Sequence, residues 1–152
     1  MEVFRLGRAK YADQLSGIGA SLKGGRWNSR GTEIIYTALN RSLAMAEVAV
    51  HFSLYMLPRD FRMLSIHIPD ELAILQLPAS DLPLNWNSFP YSSLTQKFGD
   101  EFISQNKFAL LKVPSAVTKG DFNLLINPFH PQFDRIFIVE NEPFPFDNRI
   151  FS

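Results

Sequence analysis

Gly24-Gly25-Arg26-Trp27-Asn28-Ser29-Arg30-Gly31 is followed by Glu33-Ile34-Ile35-Tyr36-Thr37-Ala38 and then by Asn40-Arg41-Ser42-Leu43-Ala44-Met45-Ala46-Glu47-Val48-Ala49-Val50. Three kinds of local structure succeed one another here. The paired glycines open a tight turn and let backbone amides approach a ligand closely. The run at 33–38 is rich in β-branched and aromatic residues and reads as a strand. Asn40 or Ser42 caps a helix expected to reach about Leu54. Leu43, Val50 and Leu54 share one of its faces, and Ala44, Met45, Ala46, Val48, Ala49 and Phe52 occupy the others. A helix apolar nearly all round is expected to be buried. Glu47 lies on the Leu43 face and is the only charge between Arg41 and Arg59. A loop cation, a strand phenol and a helix carboxylate so close together suggest a site that holds an anionic substrate and stabilises a developing positive charge.

Outward from this stretch, residues 3–6 read as an edge strand, and 11–22 as a loop whose Gly17 and Gly19 break any helix. Residues 62–68 alternate, with Leu64, Ile66 and Ile68 opposed to Ser65 and His67, the pattern of a half-buried strand. A further strand is expected at 73–77, then a proline-punctuated connection at 78–90 containing Trp86. Leu94, Phe98 and Phe102 recur every four residues and mark an amphipathic helix to about Asn106. Strands follow at 108–113, ending in Pro114-Ser115, at 122–126 and at 135–139. The tail, 142–152, reads as irregular structure. Strands outnumber helices and come in runs, which favours an α+β fold over a doubly wound one. The expectation is a single-domain mixed β-sheet with flanking helices, spanning 1–152 without repeat or linker.

Composition narrows the function. The 152 residues are 46% hydrophobic and 20% charged, which is globular. Fifteen basic residues balance fifteen acidic ones, so the basic stripe of a nucleic-acid binder is missing and no direct nucleic-acid binding is expected. There are no cysteines, which excludes disulfides, thiolate chemistry and Cys-type zinc sites. No signal-peptide pattern and no 18-residue apolar run appear, so a cytoplasmic protein without a membrane partner is expected. His51, His67 and His130 lack metal-ligand spacing. No metal or organic cofactor is indicated.

Each candidate residue has two readings. Arg26 is a surface arginine on a turn or a bidentate fork for phosphate or carboxylate. Beside it, Trp27 packs to fix the loop and Asn28 adds amide hydrogen bonds. Glu47 is a structural ion-pair partner or, because a charge on a buried apolar face is costly, a functional acid. Tyr36 is core, or a ring face for stacking a planar base with a phenol to orient it. Ser115 by itself is a turn serine, with no Gly-x-Ser-x-Gly context. His51, one turn beyond Glu47, reads as a boundary histidine.

Taken together, Gly24-Gly25-Arg26-Trp27-Asn28, Ile35-Tyr36-Thr37-Ala38, Ser42-Leu43-Ala44-Met45-Ala46-Glu47, Val113-Pro114-Ser115-Ala116 and Asn123-Leu124-Leu125-Ile126-Asn127-Pro128 with His130-Pro131 resemble the RES domain. This is the toxin half of Xre–RES toxin–antitoxin pairs. The terminal Phe146-Asp147 with Arg149 extends the resemblance over nearly the whole chain. It implies an ADP-ribosyltransferase-like fold and NAD as substrate rather than cofactor. It also implies an Xre-type antitoxin as partner, and homodimerisation is an open expectation. Arg26, Tyr36, Glu47 and Ser115 become the expected catalytic residues. Arg5, Trp27, Asn28, Thr37 and Asn127 become the expected substrate-binding set. In that reading Arg26 clamps the diphosphate and Tyr36 stacks on nicotinamide. Glu47 stabilises the cationic ribose, and Ser115 orients the ribose or nicotinamide.

NAD hydrolysis, phosphorolysis and ADP-ribosylation of a protein share one bond cleavage and are not separated by these residues. A nucleic-acid-cleaving toxin is disfavoured by the neutral charge. A non-catalytic binding module requires that Arg26 and Glu47 lie apart.

Overall fold

The computed structural model describes residues 1–52 and 58–151. Leu54, the expected end of the second helix, lies outside the described residues. The described strands are β1 (Glu2–Arg8), β2 (Ile35–Ala38), β3 (Phe61–His67), β4 (Ile74–Gln76), β5 (Leu110–Pro114), β6 (Phe122–Ile126) and β7 (Phe137–Pro143). They form one seven-stranded sheet in the order β4-β5-β6-β2-β1-β3-β7. Only β4 and β5 run parallel; every other neighbouring pair is antiparallel. Helices α1 (Ile18–Lys23), α2 (Arg41–Ala49) and α3 (Ser93–Gln105) complete an α+β fold.

The segment expected at the edge is central. β1 is paired along its whole length with β3, from Glu2↔His67 to Arg8↔Phe61. Its other edge meets β2 at the single register pair Phe4↔Ala38. Beyond that pair the two strands part, and residues of both line two adjoining hollows. β3 is not half-buried either. Met63, Leu64, Ser65 and Ile66 are buried in succession, because β3 lies between β1 and β7 with apolar clusters on both faces. Val3, Leu64, Ile66, Leu110, Leu124 and Ile126 belong to one cluster. Phe4, Leu6, Phe61 and Met63 belong to another, against α2. Each fully buried aliphatic side chain contributes roughly 1.5–3 kcal/mol.

The helices depart from expectation in informative ways. Gly17 and Gly19 do not prevent α1. Gly17 is its N-cap, and a Cβ there would lie 2.6 Å from the Ile34 amide nitrogen, so glycine lets the helix start against the β2 approach. Gly24, at φ 70°, ends it. α2 is capped by Asn40, whose Oδ1 accepts from the Leu43 amide at 2.8 Å. It stops at Ala49, and Val50 is 62% exposed. Of its residues only Leu43 and Ala44 are buried; Met45 and Val48 pack, partly buried, against the second cluster, and Val48 also borders a hollow. α3 is capped by the Ser92 hydroxyl and ends at left-handed Asn106. Leu94 is exposed and Phe102 buried. β7 extends through Pro143 into the tail that was expected to be irregular, and residues 148–151 form a 3-10 turn.

Candidate active site

The loop at 24–31 is built around Asn28, which is fully buried. Its Nδ2 donates to the carbonyls of Ala20 (2.9 Å), Thr32 (3.0 Å) and Ser29 (3.3 Å). Its Oδ1 accepts from the Tyr36 hydroxyl at 2.6 Å, and that hydroxyl accepts from the Trp27 amide at 3.0 Å. Burial holds the Tyr36 phenol well above its ordinary range, against the opposing Trp27 hydrogen bond. It stays protonated and acts as a donor. Ser29 is held from α3 by Asp100, which accepts from its amide at 2.9 Å and its hydroxyl at 2.6 Å. Gln96 donates to the Gly25 carbonyl at 3.0 Å. Gly99 lets α3 approach so closely that a Cβ there would fall 1.6 Å from the Trp27 carbonyl oxygen. Trp27 is buried and packs on Trp86, ring centres 6.0 Å apart.

Opposite this loop, α2 presents Glu47. Asn123 on β6 donates its Nδ2 to Glu47 Oε1 at 2.7 Å and to the Thr37 carbonyl at 3.1 Å. Burial pushes the Glu47 carboxyl up to about 7. The Asn123 hydrogen bond opposes that, the charge of Asp121 adds to it, and the Ser115 hydroxyl lowers it. Ser115 is buried at the end of β5, where its oxygen accepts from the amides of Val117 and Thr118, each at 3.1 Å. Its proton is left to point toward the acid. No ion pair to Glu47 occurs among the described residues. A structural salt bridge, one reading of this residue, is therefore not what the fold contains.

Glu47, Arg26, Tyr36 and Arg5 line one cleft of about 610 Å³. A second hollow of about 720 Å³ shares Arg5, Tyr36 and Glu47 with it, along with Lys23 and Tyr91. These volumes fall in the usual range of small-molecule sites, about 300–1,000 Å³. Arg5, Lys23 and Arg26 bring positive charge, and Glu47 is the one acid among the described residues lining either hollow. The arrangement suits an anionic ligand with a single carboxylate at one place along it.

The other sequence candidates fall in different places. Arg5 reaches the cleft from β1. Trp27 borders the cleft, while Asn28 lies beneath it and shapes its loop. Thr37 borders the second hollow, with its hydroxyl spent on the Leu124 carbonyl at 2.6 Å. Asn127 is not brought to the site. It is fully buried, donates to Asn106 Oδ1 at 2.7 Å and accepts from the Phe129 amide at 2.9 Å. That pairing locks the end of α3 to the turn after β6, and the side chain lines neither hollow. Residue reasoning passed over Lys23, Asn123 and the 86–91 segment. Asn123 left a signal, because asparagine is depleted within strands and here begins an otherwise apolar run.

The chain is similar to known proteins over nearly its whole length. Residues 2–147 match the RES domain. The chain is 40% identical over 126 residues to a Prs ADP-ribosylating toxin of Sphingobium sp. (strain YBL2), covering 82% of this chain and 78% of that protein. It is 37% identical to Toxin Res of Photorhabdus laumondii, covering 99% and 97%. Toxin Res of Pseudomonas putida is 39% identical, covering 93% and 94%. In fold it resembles the crystal structure of the M. tuberculosis MbcT–MbcA toxin–antitoxin complex, with a TM-score of 0.72 at 22% identity over 99% of this chain and 86% of that one. With one domain pattern spanning the sheet from β1 to the tail, and full-length relatives carrying it, the chain belongs to the RES-domain family of toxins.

Proposed function

We propose that this protein is a toxin of the cytoplasm that breaks the nicotinamide–ribose bond of NAD, depleting the dinucleotide by hydrolysis or phosphorolysis, and that an Xre-type antitoxin neutralises it. The observation that carries this reading is the position of Glu47, an anchored acid without an ion-pair partner among the described residues, in a cleft whose other charged lining groups are the cations Arg5, Lys23 and Arg26. In the proposed step the bond from ribose C1′ to the pyridinium nitrogen breaks, and its electron pair passes to that nitrogen. Nicotinamide leaves neutral, so no general acid is needed. The ribose develops oxocarbenium character, and the Glu47 carboxylate stabilises it electrostatically. Water or inorganic phosphate then bonds to C1′, and with water the surplus proton passes to solvent. A cationic nicotinamide ring arriving beside Glu47 favours its charged form. Tyr36 offers the ring face for nicotinamide, and Ser115 holds the carboxylate from behind.

A second reading, transfer of ADP-ribose to a protein side chain, is favoured by one observation: a 40% identical relative is an ADP-ribosylating toxin. The same cleavage serves both, with a protein nucleophile in place of water. The antitoxin proposal draws on the toxin–antitoxin complex to which the fold is similar. Incubating purified protein with labelled NAD, alone, with phosphate and with cell lysate, separates the outcomes as free ADP-ribose, its 1″-phosphate or labelled protein. Glu47→Gln is expected to lower the rate about 10²–10³-fold. A folded Glu47→Gln protein that still consumes NAD at the native rate overturns the proposal.

A further inference from the structure

The two arginines of the cleft are used very differently. Arg26 is already engaged: its Nη1 donates to the carbonyls of Trp86 at 2.8 Å and Ser88 at 2.9 Å, and its guanidinium lies 5.2 Å from the centre of the Tyr91 ring. All three partners belong to the segment 86–91. That segment faces the cleft with Asn87, Phe89 and Tyr91. Phe89, 72% exposed, reaches the His51 ring at 6.3 Å, and His51 lies just past α2 on the opposite wall. The segment therefore crosses the mouth from the arginine loop to the end of the acid-bearing helix. Its own backbone bonds are local turns, Trp86 to Pro83 and Ser88 to Asn85. The Arg26 hydrogen bonds tie its main chain to the body of the protein.

Arg5 is the reverse. It is half-buried, and desolvation lowers its pKa. It makes one long hydrogen bond, Nη1 donating to the Ser16 carbonyl at 3.4 Å. No carboxylate pairs with it among the described residues. A guanidinium has five N–H donors, so most of its capacity remains available toward the two hollows it borders. Lys23, exposed, borders both hollows as well and has no acidic partner among the described residues. A partly desolvated cation without a counter-ion, as Arg5 is among the described residues, is costly to keep, and an anionic ligand supplies what is missing.

We infer that the cleft's anion site is Arg5 with Lys23, which bind the diphosphate of the substrate, and that Arg26 is a positioning residue that pins the 86–91 strap across the mouth. This deepens the proposed function by moving the phosphate clamp from the loop to the floor of the cleft. It also makes the strap the element that decides entry. With Arg26 bound to two strap carbonyls, opening the mouth means breaking charge-assisted hydrogen bonds without disturbing the anion site.

ADP, which carries a diphosphate but no bond to cleave, tests this apart from catalysis. Calorimetry with the full chain should show Arg5→Gln weakening ADP binding about 10–100-fold, and Lys23→Gln weakening it less. Arg5→Lys, which keeps the charge, should restore most of the affinity and also controls for folding. Arg26→Gln should bind ADP within about threefold of the native protein. In the same variant, the hydrogen-bonded amides of Trp86 and Ser88 should exchange hydrogen at least about tenfold faster in the absence of ligand. The assignment is overturned if Arg26→Gln loses ADP as severely as Arg5→Gln, or if its strap exchanges at the native rate. Failure of the native protein to bind ADP overturns the anion site. If ADP binds as described but NAD is never consumed, the reaction proposed above fails while this assignment stands.

Discussion

The arginine loop and the acid-bearing helix both put polar groups inside the protein, and they treat them in opposite ways. In the loop every polar atom of Asn28 is spent: Nδ2 on carbonyls of the surrounding chain, Oδ1 on Tyr36. On α2, Glu47 is anchored through Asn123 and touched by Ser115, but it is otherwise left to the cleft, with its carboxyl raised to about 7. A fully satisfied buried network stiffens a fold. A partly satisfied buried acid keeps free energy in reserve for a ligand. The loop therefore sets the geometry of the site, and the helix supplies its reactivity.

The largest effect that would sharpen this contrast is at Asn28. Asn28→Ala removes partners from several buried or half-buried groups at once, each worth about 1–3 kcal/mol. Denaturant unfolding should show a loss of about 3 kcal/mol or more, and a loss under about 1 kcal/mol would mean the loop is not the rigid half of the site.

Glu47→Gln should behave in the opposite way. Because the folded carboxyl titrates above its unfolded value of 4.5, the native state holds a proton that the unfolded state has lost between about pH 4.5 and 7. Native stability from this group is thus fully present below pH 4.5 and declines as pH rises through about 7. The neutral amide escapes that decline and still accepts from Asn123. The variant should match the native protein near pH 4.5 and exceed it by a few kcal/mol at pH 8. A variant less stable than the native protein at pH 8 would show that the acid is structurally satisfied after all. For the same reason activity that needs the carboxylate should rise through about pH 7.

Tyr36→Phe comes next. It keeps the ring but removes the donor to Asn28 and the acceptor for the Trp27 amide, at an expected 1–3 kcal/mol or so in thermal or chemical unfolding. The smallest effect is expected at Asn123. Asn123→Ala deletes a hydrogen bond that lowers the Glu47 pKa, so the rising limb of the pH–rate profile should move alkaline by about one unit. An unchanged limb would remove Asn123 from the tuning of the acid.

The strand at 122–126 and the helix ending near Asn106 were legible because apolar periodicity and local caps are properties of neighbouring residues. The tight turn at 24–25, the strand carrying Tyr36 and the helix carrying Glu47 were legible for the same reason. β1 was misplaced at the sheet edge because its length and apolarity are also those of an edge strand, and nothing local reports that β3 pairs along all of it. α1 was missed because its glycines were read for propensity. Gly17 is set by contact with Ile34, a partner that only folding brings near. Asn127 was placed at the site by position within a motif, and its side chain turned out to be consumed by Asn106.

By itself, the sequence determined the α+β class, the chain's RES-type motifs and a short list containing Arg26, Tyr36 and Glu47, since each follows from residue type and spacing along the chain. Tertiary structure alone decided that β1 and β2 part after one pair, that Asn123 reaches across to the acid, and that Arg26 is tied to two carbonyls of 86–91 while Arg5 makes one long bond to Ser16. Those outcomes depend on strand order and on which groups meet from distant positions. Hydrogen bonds and desolvation act through space, and one-dimensional spacing carries no record of them.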